Sequence, residues 1–126
     1  MQRSRNIRLL ALTLVIMASA WAALWLFAPR FRGTVVARYD LSRGKREIKF
    51  YGLPPISHPT WVRILKDRYH VQVNQVSGCI VADRKAAYWD GYNSIVEKAL
   101  NREFGLNVMD TSYDAAVKED EQLNGQ

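Results

Sequence analysis

The segment Leu9–Ala28 is twenty residues long and contains no charged side chain. A helix of that length rises about 30 Å, which matches the hydrocarbon thickness of a bilayer. Residues 1–8 before it are basic, and Pro29 and Arg30 directly after it suit the end of a membrane span. The sequence therefore predicts a transmembrane helix over residues 9–28, with the lipid bilayer as its partner.

Two interpretations of this segment remain open. A secretory signal peptide has a basic start, an apolar stretch and a small-x-small cleavage site, and Ala18-Ser19-Ala20 fits that pattern. Cleavage after Ala20, however, leaves a chain that begins with a bare apolar stretch containing Trp21 and Trp25. An uncleaved signal anchor instead brings both indoles close to the far membrane interface, and we prefer it.

Orientation follows less directly, because arginines flank the apolar segment on both sides. The positive-inside rule therefore barely distinguishes the two directions. A short basic amino terminus ahead of a first apolar segment usually stays in the cytoplasm. We accordingly expect a single-pass protein whose C-terminal domain lies outside the cytoplasm.

Charge is distributed unevenly along the chain. Lys and Arg outnumber Asp and Glu by 18 to 12, a formal net charge of +6. Residues 1–32 hold five arginines and no acid, whereas residues 110–126 hold five acids and one lysine. Because part of the positive charge belongs to the membrane flanks, nucleic-acid binding is not favoured.

Residues 33–109 suffice for one small domain, and we expect residues 110–126 to form a polar, acidic frayed helix or disordered tail.

Hydrophobic periodicity predicts an α+β domain after the transmembrane helix, with the order helix-β-α-β-α. The predicted elements are a short helix over 37–43, a strand over 47–51, a helix that begins near Pro59, a strand over 71–76 and a helix over 83–104. Short joints on either side of the middle helix indicate a parallel strand pair. Two strands make a thin sheet, so we expect either a third strand at Thr34–Ala37 or an edge completed by another molecule.

The densest run of unusual residues is Gly78-Cys79 followed by Tyr88–Asn93. Gly91 lies inside a predicted helix, where glycine costs about 1 kcal/mol relative to alanine, so we expect a close approach of strand 71–76 or of Gly78. One interpretation is a polar pocket, with these candidate binding residues: Cys79, Tyr88, Trp89, Asp90, Tyr92 and Asn93. The other is tight helix–sheet packing by aromatic core residues, which is the commoner origin of such a pattern and is preferred.

Cys79 is the single cysteine, so an internal disulfide is excluded. A nucleophilic thiol needs a nearby base, and in a parallel strand–helix–strand unit the start of the crossover helix lies at the end that the second strand reaches. Cys79 with His58 is therefore the weak catalytic candidate. The two separated histidines and one cysteine have no metal-ligand spacing, and no phosphate-binding glycine loop is present. We predict no cofactor and no metal.

Three short motifs resemble a pattern of an uncharacterised family of small bacterial proteins. They are GCIV at 78–81, YWDGYN at 88–93 and NREFG at 101–105. The likeness covers roughly residues 37–109 and carries over no catalytic residue, because that family has no assigned activity. It implies that Cys79 and residues 88–93 belong together.

These observations predict a non-catalytic binding domain that is anchored in the inner membrane and faces the periplasm. A protein partner or a second copy would bind an edge strand, or the groove between helix 83–104 and the sheet. The alternative is a thiol-dependent enzyme or redox protein that uses Cys79 with His58. A nucleic-acid-binding function would require the domain to lie in the cytoplasm.

Overall fold

A computed structural model describes residues 2–105 and 107–125 of the chain. The elements are α1 (Gln2–Phe27), α2 (Pro29–Ser42), β1 (Glu47–Tyr51), α3 (His58–Tyr69), β2 (Gln72–Ser77), α4 (Asp83–Phe104) and α5 (Val108–Asn124). The fold is α+β with a sheet of two parallel strands, as the sequence predicts.

Helix α1 is the predicted apolar segment. Within the described part of the chain it is the one helix long and apolar enough to cross a membrane, over Asn6–Phe27, and almost all of its side chains there are exposed. These properties are compatible with a single-pass membrane protein.

The chain bends sharply between α1 and α2. Pro29 has no backbone N–H, so it cannot continue the hydrogen-bond pattern of α1. The ring centroids of Trp21 and Phe31 lie 5.7 Å apart. Ten residues of straight helix would separate them by about 15 Å, so the joint at Ala28 folds α2 back toward the last turns of α1.

The expected third strand at Thr34–Ala37 is wrong, because these residues lie inside α2. Three β-branched residues in a row favour a strand locally. Gly33 and Ala37, one turn apart, are both buried and let α2 pack closely on α4. The tertiary contact therefore outweighs the local preference.

The two strands pair in the parallel register expected from the short joints around α3. Glu47 lies opposite Gln72, and Phe50 lies opposite Gln75. The next pair is Tyr51 with Ser77, so β2 contains one extra residue at that point. Such an irregularity bends the strand and increases its twist.

Of the two outcomes expected for residues 110–126, a frayed helix or a disordered tail, the structure shows a helix, which packs on the domain instead of fraying. Residues 110–124 form most of α5, which packs on α3 and buries Ser112 and Ala116. Trp61 Nε1–H donates to Ser112 Oγ at 3.0 Å, and Thr60 donates to Asp120 at 2.6 Å. The small residues Ser112 and Ala116, four apart, form the narrow stripe of α5 that faces the core. Among so many acidic residues, this stripe gives little hydrophobic signal in the sequence.

The core lies between the sheet and the helices α3, α4 and α5. Ile48 and Val71 lie on or beside the strands, and Trp61 provides the largest side chain from α3. The buried apolar residues are Ala37, Ile48, Trp61, Ile64, Leu65, Val71, Tyr92, Val96, Leu100, Val108 and Ala116.

One end of the domain adjoins the end of α1. Arg84 Nη2 donates to the Leu26 carbonyl at 2.8 Å, which fixes the start of α4 beside the last turn of α1. Helix α4 runs antiparallel to β1, because Asp90 contacts Tyr51 whereas Glu103 pairs with Arg46. The loops 52–57 and 78–82, which follow the two strands, therefore lie at this same end. We call it the α1-proximal end.

Candidate functional site

Gly91 marks a close helix–helix contact. A Cβ at Gly91 would lie 2.9 Å from the Arg30 carbonyl carbon, and a Cβ at Gly33 would lie 2.8 Å from the Tyr92 nitrogen. The predicted close approach is present, but its partner is α2 and not strand 71–76 or Gly78. The two glycines face each other's helices, so both backbones come together without side chains between them.

Asn93 closes the outer edge of β1. Its Oδ1 accepts from the Lys49 backbone N–H at 2.8 Å, and its Nδ2 donates to the Lys49 carbonyl at 2.8 Å. A side-chain amide thus makes the pair of bonds that another strand would make. One turn earlier, Asp90 accepts a hydrogen bond from the Tyr51 hydroxyl, which raises the pKa of that phenol.

Tyr92 lies on the side of α4 that faces both α2 and β1, and it is fully buried. Its hydroxyl donates to Asp40 Oδ2 at 2.7 Å, and the Lys49 Nζ lies 5.0 Å from the centre of its ring. Burial and the Asp40 carboxylate both raise the pKa of Tyr92. The tyrosine is therefore a neutral donor held inside the fold.

Glu47 is a buried carboxylate that the sequence analysis missed. The residue is 4 % exposed, and it accepts from Lys45 Nζ at 2.7 Å, from Asn74 Nδ2 at 2.8 Å and from Lys49 Nζ. Burial alone would raise the pKa of Glu47, but these three donors lower it to about 2. The available signal is the spacing of Lys45, just before β1, with Glu47 and Lys49 in the strand, since residues two apart in extended chain point to the same side.

Tyr88 and Trp89 line an open cleft beside the joint of α1 and α2. The cleft has a volume of about 280 Å³ and is lined by Pro29, Arg32, Arg84, Lys85, Tyr88 and Trp89. The guanidinium carbon of Arg32 lies 5.6 Å from the Trp25 ring and 5.9 Å from the Tyr88 ring. Three cations and two aromatic rings therefore meet where the domain adjoins α1, and we call this the cationic cleft.

Five of the six candidate binding residues thus divide into two groups, and Cys79 lies apart from both. Asp90, Tyr92 and Asn93 hold α4 to α2 and β1, which is the packing role preferred from the sequence. Tyr88 and Trp89 contribute to a cleft that is open to solvent.

Cys79 lies in the exposed loop 78–82, and its thiol is free. His58 begins α3, with its ring centroid 4.4 Å from that of Phe50 and 5.6 Å from that of Trp61. Burial lowers the pKa of His58, and among the residues that the structure describes its buried Nδ1 has no hydrogen-bond partner. Loop 52–57, which leads to His58, contacts loop 78–82, which contains Cys79, because the Gly52 N–H donates to the Gly78 carbonyl at 3.2 Å.

The outer edge of β2 remains open. The Gln72 N–H donates to the Arg46 carbonyl at 3.0 Å, so in a parallel ladder the N–H and C=O groups of Val73 and Gln75 point away from β1. The side chains of Gln72, Asn74 and Gln75 are exposed. Over residues 2–105 and 107–125, no further strand pairs with this edge.

Within the same described residues, no group of three or more His, Cys, Asp or Glu side chains is arranged to hold a metal ion. No family model, no curated protein and no solved structure matches this chain, so its likeness to small bacterial proteins stays a prediction.

Proposed function

We propose that this protein is a membrane-anchored, non-catalytic binding domain that pairs an extended segment of a partner protein with the outer edge of β2. The difference between the two sheet edges supports this function: Asn93 closes the edge of β1, whereas the edge of β2 is uncovered. A sheet edge with unpaired backbone groups is a template for another strand.

The groove between α4 and the sheet, the other surface expected from the sequence, is occupied by the protein itself. Asn93 and Tyr92 fill it, with Lys49 between them. A ligand there would have to displace paired buried groups, which is costly. The binding surface that remains on the sheet is therefore β2.

The partner segment would be polar and extended. Gln72 presents an exposed amide on β2, and the amide of a neighbouring strand can bond to it. The outward groups of Val73 and Gln75 offer four backbone hydrogen bonds, each worth about 0.5–1.5 kcal/mol net. Such an edge binds weakly by itself. A partner that is held at the same membrane binds more tightly, because its effective concentration beside β2 is high.

Proline scanning of β2 tests this proposal. Gln75→Pro removes an N–H that points outward and leaves the β1–β2 ladder in place, whereas Gln75→Thr keeps that N–H and loses the same side chain. A photocrosslinking residue at Gln72 in intact cells should yield one defined adduct, which Gln75→Pro abolishes and Gln75→Thr retains. An adduct that survives Gln75→Pro would contradict strand addition, and an adduct with a second copy of the chain would identify self-association.

We also propose that the protein lies in the inner membrane and that its domain faces the periplasm. Lys66 is exposed near the end of α3 that lies away from the α1-proximal end, so in Cys79→Ser/Lys66→Cys a membrane-impermeant maleimide should label the single thiol in intact cells whose outer membrane has been permeabilised. Labelling only after lysis of the inner membrane would place the domain in the cytoplasm.

The exposure of Cys79 supports a second candidate function, a thiol-dependent enzyme or redox protein. That function needs the thiolate and a base, for which His58 is the candidate. Cys79→Ser separates the two functions, because it leaves the β2 edge unchanged. Loss of the Gln72 adduct in Cys79→Ser would favour the thiol-dependent function.

A further inference from the structure

We propose that the α1-proximal end of the domain inserts into the surface of the bilayer that α1 spans, with apolar loop residues among the lipid chains and the cationic cleft at the lipid phosphates. The inference depends on α1 as a membrane span and does not depend on a partner at β2. It assigns a role to exposed residues that neither the core nor the sheet edge uses.

The apolar residues of this end are unusually exposed. Ile56 is 93 % exposed, Ile80 is 94 % exposed and Leu53 is 76 % exposed. All three belong to loops 52–57 and 78–82, which follow the parallel strands and are joined by the Gly52–Gly78 hydrogen bond. Single exposed apolar side chains are ordinary, but three in adjoining loops at one end of a small domain indicate a contact surface.

The position of this end favours lipid over water. Arg84 contacts the Leu26 carbonyl at the end of α1, and Ile80 lies four residues before Arg84 in the sequence. Ile80 is therefore held within a few residues' length of the point where α1 leaves the hydrocarbon. An apolar loop at this position can bury its side chains in the interfacial layer, to a depth of about 5–10 Å.

The cations beside the loops suit anionic headgroups. Arg32, Arg84 and Lys85 line the cationic cleft, and Tyr88 and Trp89 provide amphipathic rings of the kind enriched at membrane interfaces. Among its neighbours, Arg32 contacts Trp25 of α1, so the cleft is continuous with the membrane-spanning helix. Phosphate groups of lipids are the anions available at that level of the bilayer.

The native cysteine gives a direct test. Cys79 adjoins Ile80 in loop 78–82, and it is the single thiol of the chain, so an environment-sensitive fluorophore attaches there without substitution. The full-length protein would be reconstituted into vesicles of zwitterionic lipid with and without an anionic phospholipid, including lipids brominated at shallow or deep chain positions. We expect quenching by the shallow bromines, and stronger quenching when anionic lipid is present. The reference is the same label in Cys79→Ser/Lys66→Cys, at the opposite end of α3, which should not be quenched.

Two variants distinguish insertion from simple tethering by α1. Ile56→Ser/Ile80→Ser removes the apolar contact and should lower the quenching of the Cys79 label at least about twofold, because interfacial binding scales with buried apolar area. Arg84→Gln/Lys85→Gln should remove the additional quenching due to anionic lipid. Tyr39→Ser, which removes an exposed ring at the far end of α2, should change neither.

The outcomes are decisive in both directions. Equal quenching in the parent protein and in Ile56→Ser/Ile80→Ser would show that α1 alone sets the position of the loop, and would overturn the proposal. No quenching at Cys79 would overturn it as well. Neither result bears on the Gln72 adduct, so failure here leaves the function proposed for β2 standing.

Discussion

Asn93 bonds both the N–H and the C=O of Lys49, and so performs for β1 what a third strand would otherwise do. A helix side chain thereby ends the sheet on one side. The same contact fixes α4 against β1, since Lys49 lies at the centre of the strand.

We expect Asn93→Ala to lower the free energy of unfolding by about 1–3 kcal/mol, because two backbone groups of Lys49 lose their partner on a half-buried edge. Ser94→Ala is the matched control, since the Ser94 hydroxyl bonds within α4, to the Gly91 carbonyl. It should change stability by less than about 0.5 kcal/mol. Denaturant unfolding of the full-length protein in detergent micelles, followed by circular dichroism, measures both, and equal stabilities would show that the amide does not hold the edge.

Alanine at either close-contact glycine should destabilise the domain. In an open helix, Gly→Ala gains about 1 kcal/mol. At Gly91 and Gly33, however, the new methyl group would overlap the backbone of the facing helix, so α2 and α4 must move apart. We expect a net loss of about 2–3 kcal/mol for each variant. Gly78→Ala, where a Cβ has open space around it, is the control, and a stabilising Gly91→Ala would contradict the close packing of the two helices.

The Glu47 carboxylate predicts a specific acid sensitivity. Its pKa is about 2 in the folded protein against a usual value of 4.5, so the native state binds this proton less readily than the unfolded chain. The corresponding stability is present above the unfolded pKa and is lost as the pH falls from about 4.5 to about 2. It amounts to about 3 kcal/mol at neutral pH.

Substitution of Glu47 tests this sensitivity. Glu47→Gln should cost a similar amount at pH 7 and should flatten the stability curve between pH 4.5 and pH 2. Glu103→Gln breaks an exposed ion pair with Arg46 and should cost less than about 1 kcal/mol. An unaltered acid transition in Glu47→Gln would show that other carboxylates control it.

Helix α5 should be indispensable for the core. Ser112→Ala leaves the buried Trp61 indole N–H without its acceptor and should cost about 1–3 kcal/mol, whereas Thr111→Ala on the exposed side should cost less than about 0.5 kcal/mol. Deletion of residues 110–126 should abolish cooperative unfolding. A truncated protein with an unchanged melting temperature would restore the interpretation of this segment as a tail.

The sequence predicts those elements whose pattern is local. Strand β1 alternates, α3 repeats apolar residues at three- and four-residue spacing from Trp61, and α4 does so over six turns before Gly105 ends it. The packing of α5 on the core is not predicted, because its core-facing side consists of small residues, which carry little hydrophobic signal beside five acids. The predicted helix starts at residue 37, whereas α2 starts at Pro29. The difference arises because Thr34, Val35 and Val36 locally favour a strand.

At the candidate site, the sequence indicates which residues are special but not what they contact. Gly91 marks a close approach, yet nothing local tells that Arg30, sixty-one positions earlier in the chain, is the neighbour. Asp90 and Asn93 are candidate binding residues of the predicted polar pocket, and both bond to β1. These partners depend on how α2 and β1 come together around α4, which is a property of the whole fold.

The packing of α5 on α3 also determines when this protein can become native during its synthesis. Trp61 leaves the ribosome long before its hydrogen-bond partner Ser112. Sixty residues likewise separate Thr60 from its partner Asp120. Until both partners have emerged, the side of α3 that α5 covers in the folded protein stays exposed. The growing chain must therefore keep that face from aggregating, and it completes its core only after residues 112–120 have left the ribosome.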